Sequence, residues 1–423
     1  MDADAPPSES LLGVNRRVLA LALARMADAV GNSFLIIVLP LYVASEAVGG
    51  SVFGIPSSMV AGVVLALFGI ASSIAQPLAG RLSDRMGRRK IFVIGGLVVL
   101  GAINLMFAAA TAYWHLFALR VLQGLAAAFT ITASLAIVNE MSDPESRGGN
   151  MGVYNSFRLI GFGAGPLLAS ALLELGPFVL PGGIQVTGFE ATFGVAAGTA
   201  FLGTVLVGLL VQDPEGTGPA PRRLALRVWD RSDQGTRLDT IFALGLATLV
   251  MAACMALLSA IEPEVNARLD QGPVLFAVEF VALIAALAAF QPVVGRASDR
   301  VGRKPFIVVG LLALIPTTVI QGLVTAPWQM IVARVLQGGA GALVFAPALA
   351  LAGDHTARGQ SGAQLAVLTV AFGLGIATGQ LTAGFFVPFG FAVPFMIGGG
   401  LAASGTVLVL TQVEAYEHAA ETA

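Results

Sequence analysis

The sequence predicts an all-α membrane protein whose twelve transmembrane helices form two six-helix bundles, and three observations predict it. Of the 423 residues, 56% are hydrophobic and only 11% charged, whereas a soluble domain carries about 25% charged residues; the mean hydropathy is +0.85. The apolar residues run in blocks of about 20, long enough to cross a hydrocarbon core as helices. One 14-residue cassette also occurs twice, 215 positions apart: QPLAGRLSDRMGRR at 76–89 and QPVVGRASDRVGRK at 291–304. Nine of its positions are identical, among them Gly80/Gly295, Asp84/Asp299, Arg85/Arg300, Gly87/Gly302 and Arg88/Arg303. RVLQG at Arg120 recurs at Arg334, and Arg147-Gly148 at Arg358-Gly359. A repeat at one period marks two homologous halves of about 200 residues each.

Apolar blocks between charged or Pro/Gly punctuation place the first six spans at 18–43, 59–79, 91–111, 115–138, 151–174 and 191–211. The second six fall at 240–261, 274–293, 306–324, 328–352, 362–386 and 391–412. The expected domains are an N-terminal bundle, 1–211, a cytoplasmic linker, 212–239, and a C-terminal bundle with a short tail, 240–423. An even number of spans puts both termini on the side of the cassettes. Of 23 Lys and Arg residues, 18 fall on that side, four (Arg25, Arg120, Arg158, Arg334) lie inside spans, and only Arg268 faces the other way. The positive-inside rule therefore predicts a multi-pass protein of the cytoplasmic membrane with both termini in the cytoplasm.

In the linker, Arg222 to Trp229 (RRLALRVW) alternates basic and apolar residues. It reads either as an amphipathic helix on the membrane surface or as a solvated tether. The single cysteine, Cys254, lies in an apolar run, cannot form an internal disulfide and reads as packing. The polar first ten residues and the long first apolar run predict no cleavable signal peptide.

The formal charge of −2 argues against a nucleic-acid partner. The three histidines, His115, His355 and His418, form no metal spacing, and neither G-x-S-x-G nor a phosphate-binding loop occurs. The expectation is a chain with no catalytic centre, no metal and no cofactor, driven by a proton or other ion gradient rather than by its own ATP hydrolysis.

Twelve spans, two repeated halves and GRLSDRMGRRK between spans 2 and 3 resemble the major facilitator superfamily over essentially the whole chain, and most of all its 12-helix drug/proton antiporters. The resemblance implies two pseudo-two-fold-related bundles, each built of nested inverted 3+3 repeats, in a monomer. It also implies that span 2 abuts span 11 and span 8 abuts span 5. Asp84 would then meet the start of span 11 near Gly362, and Asp299 the start of span 5 near Gly152, where positive helix ends attract carboxylates. Gly80 and Gly295, lacking a Cβ, would let the helices approach closely. Arg85, Gly87, Arg88, Arg300, Gly302 and Arg303 complete this expected cytoplasmic gate. Its arginine-rich part, with Arg89 and Lys90, also reads as a topology determinant.

Gly152, Gly161 and Gly165-Pro166 in span 5 match the spacing of the antiporter motif, with Ala169 and Ser170 standing where two more glycines are expected. They read as a helix-5 hinge or as generic small-residue packing; the second half has Gly379-Gln380 instead. Arg120-Val-Leu-Gln123-Gly124 is similar to the family's arginine motif, implicated in proton transfer. Its twin at Arg334 leaves open a structural role, with the guanidinium bonding backbone carbonyls and its Gln neighbour.

Arg25, Asp28 and Asn32 in span 1 share one helical face, and Asp28 lies about 15 Å from either end of its span. A carboxylate there either titrates, with Arg25, Arg120 or Arg158 as switchable partner, or forms a static pair with Arg25. Glu279 reads as a second titrating site, a contact for a cationic substrate or an interface residue. Glu140 and Asp354 read as gate or cap residues. The expected function is a secondary active transporter, a proton-coupled exporter of an amphipathic small molecule across the lipid bilayer. The alternatives are a metabolite transporter, with an organic anion suggested by four intramembrane arginines against Asp28 and Glu279, and a non-transporting receptor.

Overall fold

The computed structural model describes residues 10–11, 14–45, 48, 54–142, 147–213, 228–232, 235–354 and 361–413. Its first-half helices are α1 (Arg16–Ala44), α2 (Ser57–Met86), α3 (Arg89–Phe107), α4 (Tyr113–Glu140), α5 (Arg147–Leu175) and α6 (Gly188–Leu210). The second half comprises α7 (Thr240–Ala256), α8 (Glu262–Leu269), α9 (Pro273–Val301), α10 (Arg303–Val319), α11 (Pro327–Asp354), α12 (Ser361–Phe386) and α13 (Val393–Gln412). Short 3-10 turns extend α7 to Ala260 and α10 to Gly322. Twelve of these helices are long and apolar enough to cross a membrane, the number the sequence predicts, and α8 is the added short one. Large apolar side chains cover their outer faces: Leu78 is 62% exposed, Leu175 71% and Leu209 79%. So much open apolar surface is stable only where lipid is the solvent. Trp114 and Trp328, in the first turns of α4 and α11, are each 65% exposed, as interfacial aromatic anchors are.

The cassettes, expected as loops, are helical up to Met86 and Val301. Nothing before Gly87 or Gly302 breaks the helix, and charged residues need no apolar cover once past the hydrocarbon. The chain reverses at Gly87 (φ +61°) and Gly302 (φ +104°), conformations that only glycine adopts without strain. In the linker, Trp229 begins a hairpin, 229–232 paired with 235–238, rather than ending a helix; residues 222–227 and Arg358-Gly359 lie outside the described residues.

The helices form two compact units. One comprises 1–50 and 74–220, the other 51–73 and 221–423, so the first part of α2 packs with the second half of the chain. In the first unit α1 lies against α5 and α6, and α3 against α4 and α6. Ala75, Ala79 and Ala128 join α2 to α4. In the second unit α7 lies against α12 and α13, α10 against α11 and α13, and α9 against α11. This is the same scheme twice, as the repeat requires.

Small residues make the tightest seams. A Cβ on Gly161 would meet the Met26 carbonyl oxygen at 2.3 Å, and one on Gly165 would meet Ser33 Oγ at 1.9 Å. Their counterparts Gly375 and Gly379 meet the carbonyls of Leu249 and Ala253 at 2.3 and 2.2 Å. The pair Gly161/Gly165 on α5 against α1 is thus repeated by Gly375/Gly379 on α12 against α7. Ala169 and Ser170 are fully buried. Within the second unit, Gly62 and Gly69 of α2 press on Gln380 and Gly373 of α12 at 2.7 and 2.9 Å, the span 2–span 11 contact that the resemblance implied. Gly80, Gly295 and Gly152 behave differently from expectation. A Cβ at any of them would meet no described atom within 4 Å, because they lie toward helix ends, away from these seams.

Gly165→Val and Gly379→Val should each destabilise the solubilised protein by about 1–3 kcal/mol through overpacking, while Gly152→Val should be neutral. Thermal unfolding followed by size-exclusion chromatography reads the difference, and equal losses at all three positions would contradict the seam.

Candidate functional site

The first unit holds a polar cluster inside its apolar packing. Arg25 and Asp28 form an ion pair one turn apart on α1, with Asp28 only 9% exposed. On α5, Tyr154 and Arg158 stand one turn apart; the Tyr154 hydroxyl and Ser134 Oγ of α4 are 2.6 Å from each other. Tyr154 lies near enough to feel the charges of Arg25, Asp28 and Arg158. Arg158 Nε donates to Asn155 Oδ1 at 3.0 Å. A void of about 10 Å³ borders the cluster, lined by Arg25, Thr130 and Ser134 together with Leu21, Ala24, Val93 and Leu97; that is the space of about one water. Asn32 is half-buried on the following turn of α1. Of the three arginines expected to compete for Asp28, Arg25 is its partner, because it is already anchored one turn away on the same helix.

Arg120 belongs to a different network. Its Nη1 donates to Gln123 Oε1 at 2.7 Å, Gln123 Nε2 to Asn104 Oδ1 at 2.9 Å, and Asn104 Nδ2 to the Ala196 carbonyl at 3.2 Å. Arg334 repeats it: Nη1 donates to Gln337 Oε1 at 2.8 Å and to the Met255 carbonyl at 3.0 Å. Gln337 Nε2 then reaches Thr318 Oγ1 at 3.1 Å and the Cys254 carbonyl at 3.0 Å. Asn104 and Thr318 each lie 19 residues before their glutamine. This is the structural alternative the sequence left open for the twin motif: the guanidinium and the amide fasten α4 to α3 and α6, and α11 to α10 and α7. Glu279 is fully buried on α9 and lies within electrostatic reach of Arg334.

A third arrangement sits at the helix ends that carry the cassettes. Arg89, the first residue of α3, bridges Asp84 at 3.0 Å and Glu140 at 2.5 Å. Arg303, the first residue of α10, bridges Asp299 at 3.3 Å and Asp354 at 2.8 Å. The next residue repeats too: Lys90 Nζ donates to the Gly208 carbonyl at 2.7 Å, and Lys304 Nζ to that of Leu410 at 3.3 Å. Asp213 Oδ1 accepts from the Lys90 backbone N–H at 2.7 Å. The cassette alignment paired Arg88 with Arg303, but the functional partner of Arg303 is Arg89. The first turn contains one more residue, so equivalence follows position from the helix start rather than from the motif. Arg85, Arg88 and Arg300 are exposed and carry no such bridge among the described residues, whereas Arg89 is 5% exposed. Tyr154, Ser134, Asn104 and Arg89 are the residues that sequence reasoning did not place in a site. The 19-residue offset shared by both halves was the readable signal for Asn104.

The description of one family, the Major Facilitator Superfamily, fits the chain twice, over residues 21–244 and 240–422. The chain belongs to this superfamily. Among its relatives, the multidrug resistance protein MdtG of Salmonella choleraesuis (strain SC-B67) is 25% identical over 311 residues, 72% of each chain. Citrate exporter 1 of Aspergillus niger is 29% identical over 118 residues, 28% of this chain and 22% of that one. Among solved structures, a POT family transporter in complex with 5-aminolevulinic acid superposes with a TM-score of 0.77 at 13% identity, covering 96% of this chain and 97% of that one. The human organic anion transporter MFSD10 superposes with a TM-score of 0.69 at 18% identity, covering 96% and 100%. These likenesses show the fold. As a major facilitator, the protein is a multi-pass membrane transporter of a small molecule, not an enzyme.

The bridges in this transporter separate two neighbouring arginines. Arg89→Gln leaves Asp84 and Glu140 facing each other without a cation and should cost about 1–3 kcal/mol; Arg88→Gln should change stability little. Denaturation of the two purified variants checks this, and equal effects would refute the assignment of the bridge to Arg89.

Proposed function

We propose that this transporter is a proton-coupled exporter of amphipathic small molecules, acting as a monomer in the cytoplasmic membrane with both termini inside. The observation that carries the reading is the Arg25–Asp28 pair, buried in mid-helix beside Tyr154, Arg158 and a water-sized void. A carboxylate there persists because its charge is matched. One proton delivered to Asp28 cancels that match and frees Arg25, so the polar face of α1 changes its charge without any other chemical step. Tyr154 and Ser134 offer hydroxyls that can pass the proton on. The relationship to a multidrug resistance protein supports an efflux role and an amphipathic substrate. Two repeated halves joined by the 212–239 linker would expose the cavity alternately to each side. Asp84 and Asp299, held by Arg89 and Arg303, would latch the cytoplasmic side against the starts of spans 11 and 5.

One observation favours a second reading, an organic-anion transporter. Arg158 pairs with no carboxylate among the described residues and would accept one from a substrate.

In proteoliposomes, an imposed pH gradient should drive the lipophilic cation ethidium against its own gradient, and Asp28→Asn should abolish that uphill flux in a folded protein. Uphill flux undiminished in this variant would remove Asp28 from the mechanism. Asp84→Asn should raise the reactivity of single cysteines placed along the cytoplasmic cavity; unchanged labelling would remove the latch.

A further inference from the structure

Two glutamates lie near the α7–α9 connection: Glu279, already met beside Arg334, and Glu262, which lies outside the sites described so far. Glu262 opens α8, Glu279 sits two turns into α9, and both are 0% exposed. None of their four carboxylate oxygens has a hydrogen-bond partner among the described residues. Glu279 is close enough for its charge to act on Glu262. The charge of Arg334 also acts on Glu279, and its Nε and Nη2 are likewise unpartnered among the described residues while Nη1 is engaged. The amides of Asn266 and Gln271 stand beside Glu262 and Glu279 without completing a well-formed bond. From α12, Gln380 turns an unpartnered Oε1 into the interior, with its Nε2 3.4 Å from Ser259 Oγ.

Of the remaining charges of this segment Arg268 is engaged elsewhere, and Glu264 Oε2, on the same short helix as Glu262, is a further buried oxygen without a partner among the described residues. Arg268 Nε donates to the Val324 carbonyl at 3.1 Å and its guanidinium lies 4.7 Å from the centre of the Phe391 ring. Glu264 is half-buried and Asp270 exposed. Among the described residues Arg334 is the cation that acts on Glu279, and through Glu279 it bears on Glu262.

Buried carboxylates without donors are costly, and two whose charges act on each other cannot both ionise cheaply. Arg334 supplies one positive charge. Two ionised glutamates would leave the group negative and two protonated ones would leave it positive, whereas a single proton makes it neutral. Burial pushes the Glu262 carboxyl well above the usual glutamate range; the Asn266 amide opposes this and the Glu279 charge adds to it. We propose that Glu262 and Glu279 form one proton-binding site beside Arg334, holding a single proton between them and releasing it once per transport cycle. The release rests on the proton-coupled reading above; the shared proton does not. In the proposed orientation this is the outer end of the unit, where protons arrive down their gradient.

Infrared difference spectra of the purified full-length transporter between low and high pH test the pair directly. A protonated-carboxyl C=O band should be lost on raising the pH in the wild type, be absent from Glu262→Gln and Glu279→Gln, and persist in Asp28→Asn. A band unaltered in both glutamine variants overturns the shared proton. A band that ignores pH but responds to Na⁺ overturns it in favour of a metal cation. In proteoliposomes with ethidium, either glutamine variant should lose uphill flux under a pH gradient while keeping ethidium exchange without one. Loss of the band with uphill flux intact overturns the release step. Wild-type flux that ignores the gradient sinks the proton-coupled reading, while the infrared result still decides the pair.

Discussion

A charge held in hydrocarbon has to be neutralised where it lies, and much of this transporter is arranged around that requirement. The intramembrane charges meet it in different ways. Asp28 and Arg25 pair within one helix. Arg120 and Arg334 lean on a glutamine one turn away, and Arg334 also takes a backbone carbonyl from a neighbouring helix. Adding one proton to the carboxyl would undo the first solution, whereas the arginine–glutamine bonds contain no group that a proton neutralises. The twin arginines read as fasteners between helices.

The two halves share their scaffold and differ in their charges. Glycine seams at Gly161/Gly165 and Gly375/Gly379, anchors at Trp114 and Trp328, arginine–glutamine pairs and helix-end bridges recur in matching places. Close helix contact and end-to-end anchoring are needed by any bundle in lipid, where no hydrophobic force draws helices together. The buried acids do not recur among the described residues. The first half carries Asp28 on α1, and the second carries Glu262 and Glu279 at the α7–α9 connection. Duplication supplied the frame, and chemistry was placed on it separately in each half.

The helix-end bridges show how a motif can mislead by one residue. A single extra residue in the first turn moves the bridging arginine from the aligned Arg88 to Arg89, since what the bridge needs is the first position of the following helix. The carboxylates that it holds come from two elements, the end of α2 and the end of α4. The bridge therefore ties three consecutive helices at one face of the unit.

What the sequence by itself determined is the number of spans, the duplication, the superfamily and the shared face of Arg25, Asp28 and Asn32. The superfamily follows from the resemblance of the repeated cassette to a known family's motif, and the others from periodicity, hydropathy and spacing along one chain. It did not determine which arginine Asp28 would take, that Gly80 and Gly295 face no close neighbour among the described residues, or that Glu262, read as part of a loop, is as buried as any core residue. Those were decided by tertiary packing, because a partner on another helix and the loss of solvent around a carboxylate depend on how helices turn toward one another. No local pattern records that rotation.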